Sequence, residues 1–198
     1  MQTLLRIDAS LQAPEQSVSK QLGDFLVEKL AVPNITHLDL GKTPLASVDP
    51  LFLAALFNPT PNAEEQARLA ESDHWIAQIE AADALVITTP MYNFGMPSQL
   101  KNFFDQVLRA GKTFRYTAQG PEGLLKDKPV WLIVSSGGDY REGPAQTMNF
   151  LDGHLFTLLN FIGLKQINLI HAAGLAMGDA PGVKAAAEQQ ILTALAAN

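Results

Sequence analysis

The chain has 198 residues, of which 47% are hydrophobic and 17% are charged; this composition is that of a globular protein and excludes a disordered one. Its formal charge of −6 argues against nucleic acid as the main partner, and no apolar run approaches the roughly 18 residues that a membrane-spanning helix needs. The chain contains no cysteine, which excludes disulfides, thiolate catalysis and cysteine-bound zinc, and we expect a soluble cytoplasmic protein with no membrane partner.

Short apolar runs recur along the chain and predict β-strands. They lie at residues 4–7, 35–40, 84–89, 130–134 and 167–170. The third and fourth runs contain almost no polar residue, as expected for strands that are covered on both faces.

Helical patterns lie between these runs. Apolar residues at helical spacing predict helices near residues 18–30, 49–57, 63–81, 100–108 and 155–162, and an alanine-rich closing helix at 183–196. Strands that alternate with helices predict an α/β fold, a doubly wound five-stranded parallel sheet with helices on both faces, in a single domain over residues 1–198.

Residues 111–128 are expected to form the longest irregular segment. Because ligands bind at the carboxyl ends of such strands, the loops after the first, third and fourth strands are the candidate site.

The loop after the first strand contains Ser10 and leads to Ser17, Val18 and Ser19 at the start of a helix. Hydroxyl groups and the free N–H groups of a helix N-terminus together suit a phosphate. The loop has no glycine between Ser10 and Ser19, so it matches neither the Walker pattern nor GxGxxG. The alternative is that Ser17 or Ser19 simply caps the helix. Asp8, just before this loop, is expected to have a surface or loop-stabilising role, because the sequence places no second acid beside it.

The loop after the third strand is unusually apolar for a surface connection. Between two prolines it places Met91, Tyr92, Asn93 and Phe94. Gly95 follows, and we expect it to allow a tight bend. A rigid apolar wall with one amide side chain suits a flat heteroaromatic ring with polar edges.

The fourth strand ends in two serines and two glycines, Ser135, Ser136, Gly137 and Gly138. Paired glycines let the backbone approach a ligand closely and can present successive N–H groups to it. The alternative is an ordinary glycine-rich turn.

At these loops the sequence resembles the FMN-dependent NADH-azoreductase and quinone oxidoreductase family of flavodoxin-like enzymes. The resemblance covers essentially the whole chain, and its most specific parts are residues 90–105, 111–117 and 120–124. It implies a flavodoxin-like fold with FMN as the cofactor and NADH or NADPH as the co-substrate. Hydride would pass through the flavin to quinones or azo compounds by a ping-pong mechanism, and the flavin rather than a protein side chain would be catalytic.

The resemblance also implies roles for residues of the three loops. Met91, Tyr92, Asn93 and Phe94 would lie against the flavin ring system; Ser10, Gln16, Ser17, Val18 and Ser19 around the FMN phosphate; and Ser135, Ser136, Gly137 and Gly138 at the pyrimidine edge. The family often has arginine at the position of Ser136, which leaves the nicotinamide preference open.

The substrate pocket is expected to include Phe94, Tyr116 and Phe161. Phe161 has an alternative as a core aromatic residue on an amphipathic helix. His154 shares that helix face and either approaches the dimer interface or the pocket, or is an incidental, partly buried side chain. No histidine has metal-ligand spacing, so no metal is expected.

A homodimer is expected, with its two active sites at the subunit boundary. The aromatic residues near the loops would otherwise form a contiguous apolar patch in water, and a two-fold interface would cover both patches. The main alternative function is a flavodoxin-type electron carrier, which binds FMN but turns over no organic substrate.

Overall fold

Strands and helices alternate along the chain as predicted, in a computed structural model that describes residues 1–197. The strands are β1 (Thr3–Asp8), β2 (Asn34–Asp39), β3 (Ala84–Pro90), β4 (Phe114–Thr117), β5 (Gly120–Gly123), β6 (Val130–Ser136) and β7 (Ile167–Ala173). The helices are α1 (Val18–Leu30), α2 (Pro50–Phe57), α3 (Ala63–Ala81), α4 (Ser98–Val107), α5 (Asp152–Phe161) and α6 (Ala180–Ala197). Short 3₁₀ helices lie at Pro14–Gln16 and Pro144–Met148.

Within the described residues, five strands form one parallel sheet in the order β2–β1–β3–β6–β7. β1 pairs with both β2 and β3, so the chain winds outward in two directions from this strand. The predicted doubly wound sheet is therefore confirmed. The carboxyl ends of β1 and β3 meet at the point where the winding direction reverses, which is where such sheets bind ligands.

Helices cover both faces of this sheet. On one face α3, α4 and α5 pack against a core that includes Leu5, Ile7 and Leu132. On the other face α1 and α6 pack against Leu4 and Trp131. Neighbouring residues of a strand point to opposite faces, so a buried central strand has to be apolar throughout. No helix in the described part of the chain is both long and apolar enough to span a membrane.

Strand β6 is longer than predicted at the edge that carries the loops. It continues through Ser135 and Ser136, because their backbones pair with Ala172 and Ala173 of β7. A polar side chain does not end a strand whose backbone groups still find partners. The other strand and helix ends differ from the predicted ones by a few residues.

Residues 111–128 are not irregular, and this prediction was wrong. They contain an antiparallel hairpin of β4 and β5 that is separate from the main sheet. Its turn uses Gly120, whose φ of +112° favours glycine. The hairpin packs closely on the end of α5, since a side chain on Gly123 would collide with the backbone of Gly163. Two four-residue strands carry too little periodicity to be recognised in sequence.

Candidate active site

Loop 1 (residues 9–17, between β1 and α1) leads into the first turn of α1, and its predicted serines are buried together with Ser19 of that turn. Ser10, Ser17 and Ser19 are 1%, 2% and 0% exposed. The hydroxyl oxygens of Ser17 and Ser19 lie 3.2 Å apart, and Ser17 also accepts a hydrogen bond from the N–H of Lys20. Ser17 is therefore the N-cap of α1, as the capping alternative predicts.

The start of α1 also presents donors that a cap does not use. The N–H groups of Val18 and Ser19 belong to the first turn and have no intrahelical acceptor, so partial positive charge collects there. The first turn contains no acidic side chain, and the exposed Gln16 lies just before it. This end of the helix is suited to an anion.

Asp8 is buried beneath loop 1 rather than at the surface, and the expectation of a surface role was wrong. It is 1% exposed, accepts hydrogen bonds from Arg6 at 3.0 Å and Thr88 at 2.8 Å, and lies 2.8 Å from Nε2 of His37. Burial raises the pKa of Asp8, but these hydrogen bonds outweigh burial and hold the pKa below its ordinary value. Gly23 lets α1 lie directly on this network, since a Cβ there would be 2.7 Å from the methyl group of Thr88.

Loop 2 (residues 91–97, between β3 and α4) contains a tight turn with two left-handed residues. The backbones of Tyr92 and Gly95 exchange hydrogen bonds of 2.9 and 3.0 Å. Between them φ is +46° at Asn93 and +70° at Phe94, the signs that a type I′ turn requires. The bend is therefore at these two residues. The prediction that it lies at Gly95 was wrong. Asparagine tolerates this conformation, whereas for phenylalanine it costs roughly 1–2 kcal/mol, a strain typical of functional sites.

Loop 3 (residues 137–140, after β6) is held so that its N–H groups are left without acceptors. Three N–H groups from residues 174–176 donate to the carbonyls of Ser136, Gly137 and Gly138. Within residues 1–197 the N–H groups of Gly137 and Gly138 have no acceptor. A Cβ on Gly137 would meet only the Cβ of Ala176, at 3.5 Å. The backbone here is open to close approach.

Loops 2 and 3 line a cavity of about 210 Å³. Its lining residues are Met91, Asn93, Phe94, Ser136, Gly137, Gly138 and Tyr140. Sequence reasoning did not select Tyr140, which meets Phe94 edge to face with ring centroids 5.7 Å apart. The available signal was an aromatic residue two positions after the paired glycines. The cavity combines a flat apolar wall with an amide side chain and unused N–H groups.

Hydrogen bonds join the three loops into one site. The N–H of Met91 donates to the carbonyl of Ser135 at 2.7 Å, which ties loop 2 to the end of β6. The N–H of Leu11 lies 3.4 Å from the hydroxyl of Tyr92, which places loop 1 beside loop 2. The structure thus brings the predicted phosphate and ring residues to one edge of the sheet.

Tyr116 and Phe161, the other predicted pocket residues, lie away from this cavity. Tyr116 is 74% exposed on β4, and Phe114 contacts both of them, with ring centroids 5.6 Å from Tyr116 and 4.5 Å from Phe161. Phe161 borders a cavity of about 830 Å³ between the hairpin and α5, which shares no lining residue with the cavity of loops 2 and 3. His154 is exposed on α5 and lines neither cavity.

Loop 3 ends beside a compact ion pair. Arg141 donates to both carboxylate oxygens of Asp139, at 2.9 and 2.6 Å, and this hydrogen bonding lowers the pKa of Asp139 to about 2. The charge of Arg141 is therefore compensated locally. In the described part of the chain, no group of three or more His, Cys, Asp or Glu side chains is placed to hold a metal ion.

Comparison with known proteins assigns the class. The fold and the loop-built site define a flavodoxin-like protein, and residues 2–195 match the family model for the flavodoxin-like fold. An FMN-dependent NADH:quinone oxidoreductase of Hydrogenovibrio crunogenus is 41% identical over 195 residues, 96% of each chain. Another from Cellvibrio japonicus is 42% identical over 203 residues, 100% of each chain. The chain belongs to this family of FMN-dependent NADH:quinone oxidoreductases, and the resemblance found in the sequence is confirmed.

Solved structures agree with this assignment. The azoreductase AzrA superposes with a TM-score of 0.89 at 29% identity, over 97% of this chain and 98% of that one. An FMN-dependent NADH-azoreductase from Bacillus anthracis, solved in complex with FMN, also has a TM-score of 0.89, at 27% identity over 98% of this chain and 97% of that one.

Proposed function

We propose that this protein is an FMN-dependent oxidoreductase that takes hydride from a reduced nicotinamide and reduces quinones or azo compounds. The observation that carries the proposal is the convergence of three loops at the carboxyl edge of the sheet. One offers an anion site at a helix N-terminus, and the other two enclose a cavity for a flat ring. FMN has one phosphate and one flat heteroaromatic ring, so its two ends match the two parts of the site. The names of the full-length relatives support the same activity.

Each part of FMN would be held by a different loop. We assign the phosphate to the N–H groups of Val18 and Ser19, supported by Ser10, Gln16 and Ser17. We assign the ring to the wall formed by Met91 and Phe94, with Tyr92 between them in the chain and next to loop 1. Its polar edge would meet the amide of Asn93 and the N–H groups of Gly137 and Gly138, with Ser135 and Ser136 behind them. The unused N–H groups and the open space above Gly137 fit this assignment.

Bound FMN supplies the hydride chemistry, which no protein side chain can perform. The chain contributes binding, orientation and charge stabilisation. The N–H groups of Gly137 and Gly138 would direct fixed dipoles toward the polar edge of a bound ring and would stabilise negative charge there. Their carbonyls are already bonded to residues 174–176, so the donors need no rearrangement.

Donor and acceptor substrates would use one cavity in turn. The two loops line one cavity of about 210 Å³, and a single small cavity supports a shared site and ping-pong kinetics with NADH or NADPH. Initial rates at several quinone concentrations test this point. Parallel double-reciprocal lines are expected, and converging lines would show that both substrates bind together.

A second copy of the chain would complete the site. Tyr116 and Phe161 do not line the cavity of Phe94, yet Phe114 joins them into an aromatic surface beside α5. A two-fold pairing would cover this surface on each subunit and bring it to the cavity of the partner. We expect a homodimer by light scattering at micromolar concentration. A monomer with full flavin content and full turnover would contradict the shared site.

The activity itself is tested by NADH consumption in the presence of a quinone. We expect steady turnover that depends on added FMN after the flavin has been removed. A flavodoxin-type carrier would bind FMN but consume no NADH with the quinone, and that result would reject the proposal. Phe94→Ala, which removes part of the cavity wall, should weaken FMN binding.

A further inference from the structure

Lys20, in the first turn of α1, is a buried charged residue whose ammonium binds loop 1, and the site described above gives it no role. It is 2% exposed and is among the largest fully buried side chains of the protein. Its ammonium donates to the carbonyl of Gln12 at 3.1 Å and to both carboxylate oxygens of Asp39 at 3.0 Å each. All three N–H donors are therefore used inside the protein.

These contacts hold loop 1 between α1 and the end of β2. Gln12 lies in the middle of the loop, and its N–H donates to the hydroxyl of Ser10 at 3.2 Å. Asp39 also accepts a hydrogen bond from the N–H of Gly41 at 3.0 Å. Gly41 presses directly on the loop, since a Cβ there would lie 2.5 Å from the carbonyl oxygen of Ser10. The pair of Lys20 and Asp39 thus fixes loop 1 from two sides.

The direction of the Gln12 carbonyl matters for an anion. A carbonyl oxygen that faced a phosphate would repel it, whereas this one points at a buried ammonium. The far end of loop 1 is held separately, because the side chain of Gln21 donates to the carbonyls of Pro14 and Glu15 at 3.2 and 2.9 Å. The carbonyl of Gln12, in the middle of the loop, is held by Lys20. A buried ammonium is unfavourable unless it is paired and fully hydrogen-bonded, and such a pair is a costly way merely to fill space.

We propose that Lys20 is a positioning residue for the phosphate of FMN: together with Asp39 it holds loop 1 in the shape that accepts the phosphate, and it does not touch the phosphate itself. This inference rests on the proposed FMN site. In this inference Lys20 favours FMN over a flavin without phosphate, and it does so by fixing the backbone of loop 1.

Lys128 provides a matched control within the same chain. It is 7% exposed, and its ammonium donates to the carbonyls of Ile79, Glu80 and Ala82. It lies before β6 and beyond the end of α3, at the amino edge of the sheet and therefore opposite the loops. A purely structural role of a buried lysine should affect stability at both positions in the same way.

The test compares the binding of FMN with that of riboflavin, which lacks only the phosphate, to flavin-free protein by fluorescence quenching. In Lys20→Met we expect FMN affinity to fall roughly tenfold or more, the scale of one lost charge-assisted hydrogen bond, with riboflavin affinity unchanged. In Lys128→Met the ratio of FMN to riboflavin affinity should stay at the wild-type value although the melting temperature falls. Lys20→Arg should recover part of the ratio, because it keeps a buried cation with several donors.

The possible outcomes separate the inference from the proposed function. An unchanged ratio of FMN to riboflavin affinity in Lys20→Met would overturn the positioning role. Stronger FMN binding in Asp39→Asn would also overturn it, because it would show that the charge of Lys20 attracts the phosphate directly. If Lys20→Met does not fold, the double variant Lys20→Met/Asp39→Asn removes both charges and must show the same fall in the ratio. Wild-type protein that binds FMN no better than riboflavin would reject the phosphate site itself.

Discussion

Lys20 and Lys128 occupy opposite edges of the same sheet and differ in what their ammonium groups hold. Each is buried, and each makes three hydrogen bonds. Lys128 binds carbonyls at the end of α3, where a cation offsets the partial negative charge of a helix C-terminus. Lys20 binds a loop carbonyl and a carboxylate below the candidate phosphate site. The two lysines are alike in residue type and burial. They differ in position, because ligands bind at the carboxyl edge of a parallel sheet, where Lys20 lies.

The two edges also differ in unused donors. At the carboxyl edge, the N–H groups of Gly137 and Gly138 lack acceptors. At the amino edge, the N–H groups of Gln2 and Thr3 donate to Asp83, and Lys128 satisfies the carbonyls of α3. At the amino edge these groups are used for hydrogen bonds within the protein, whereas the carboxyl edge keeps N–H donors free for binding.

The largest effect is expected for Asp8→Asn, which breaks the buried pair with Arg6 at the carboxyl edge. We expect a loss of roughly 3 kcal/mol in the free energy of unfolding at neutral pH, because the guanidinium loses a buried counter-charge. The folded state holds the pKa of Asp8 below its ordinary value of 3.8, so its contribution is complete above 3.8 and is lost as the pH falls further. Urea unfolding over this range should show the difference between wild type and variant shrinking with acid. A constant difference would contradict the role of the charge.

Lys128→Met should be nearly as destabilising and should act at the amino edge alone. Three carbonyls lose a charged donor, which we expect to lower the free energy of unfolding by about 2–3 kcal/mol. Urea denaturation of the flavin-free protein measures this directly. A variant that keeps its stability but loses affinity for FMN would contradict the claim that Lys128 acts on stability alone.

Gly137→Val should produce the opposite combination, a binding defect without a folding defect. A Cβ there meets only Ala176 at ordinary contact distance, so the fold accommodates it. The branched side chain would block approach to two N–H donors, and we expect FMN affinity to fall about 100-fold. Titration with FMN gives the affinity, and the melting temperature of the flavin-free variant is the control. Full affinity in this variant would remove loop 3 from the ring site.

The smallest effect concerns the turn of loop 2. Asn93→Ala should lower the free energy of unfolding by about 1 kcal/mol, because alanine disfavours a φ of +46°. Asn93→Gly should stay within about 0.5 kcal/mol of wild type, since glycine adopts this conformation freely. Both variants lose the amide and should weaken FMN binding equally. Equal stability of the two variants would show that the turn is unstrained.

Much of the fold was predictable because it follows from periodicity. Apolar runs and amphipathic segments determine the strands and helices, and alternation of the two determines the parallel sheet. The candidate loops were predictable for the same reason, since they follow the carboxyl ends of known strands. The cytoplasmic location and the single-domain organisation stay predictions.

What the sequence did not reveal depends on tertiary contacts. The hairpin of β4 and β5 is anchored by Gly123 against Gly163, 40 positions later in the chain. The burial of Asp8 depends on His37 and Thr88, which reach it only when β2 and β3 pair with β1. Likewise, a lysine in an amphipathic helix is normally exposed, and no local pattern distinguishes one that turns inward to a loop carbonyl.

The identity of the flavin released from the purified protein tests the central claim most directly, because loop 1 offers an anion site without the GxGxxG fingerprint that binds the adenosine half of a dinucleotide. Denaturation of the holoprotein, followed by chromatography against standards, should yield FMN at about one per chain. FAD as the main released flavin would contradict the assignment of the phosphate to the first turn of α1.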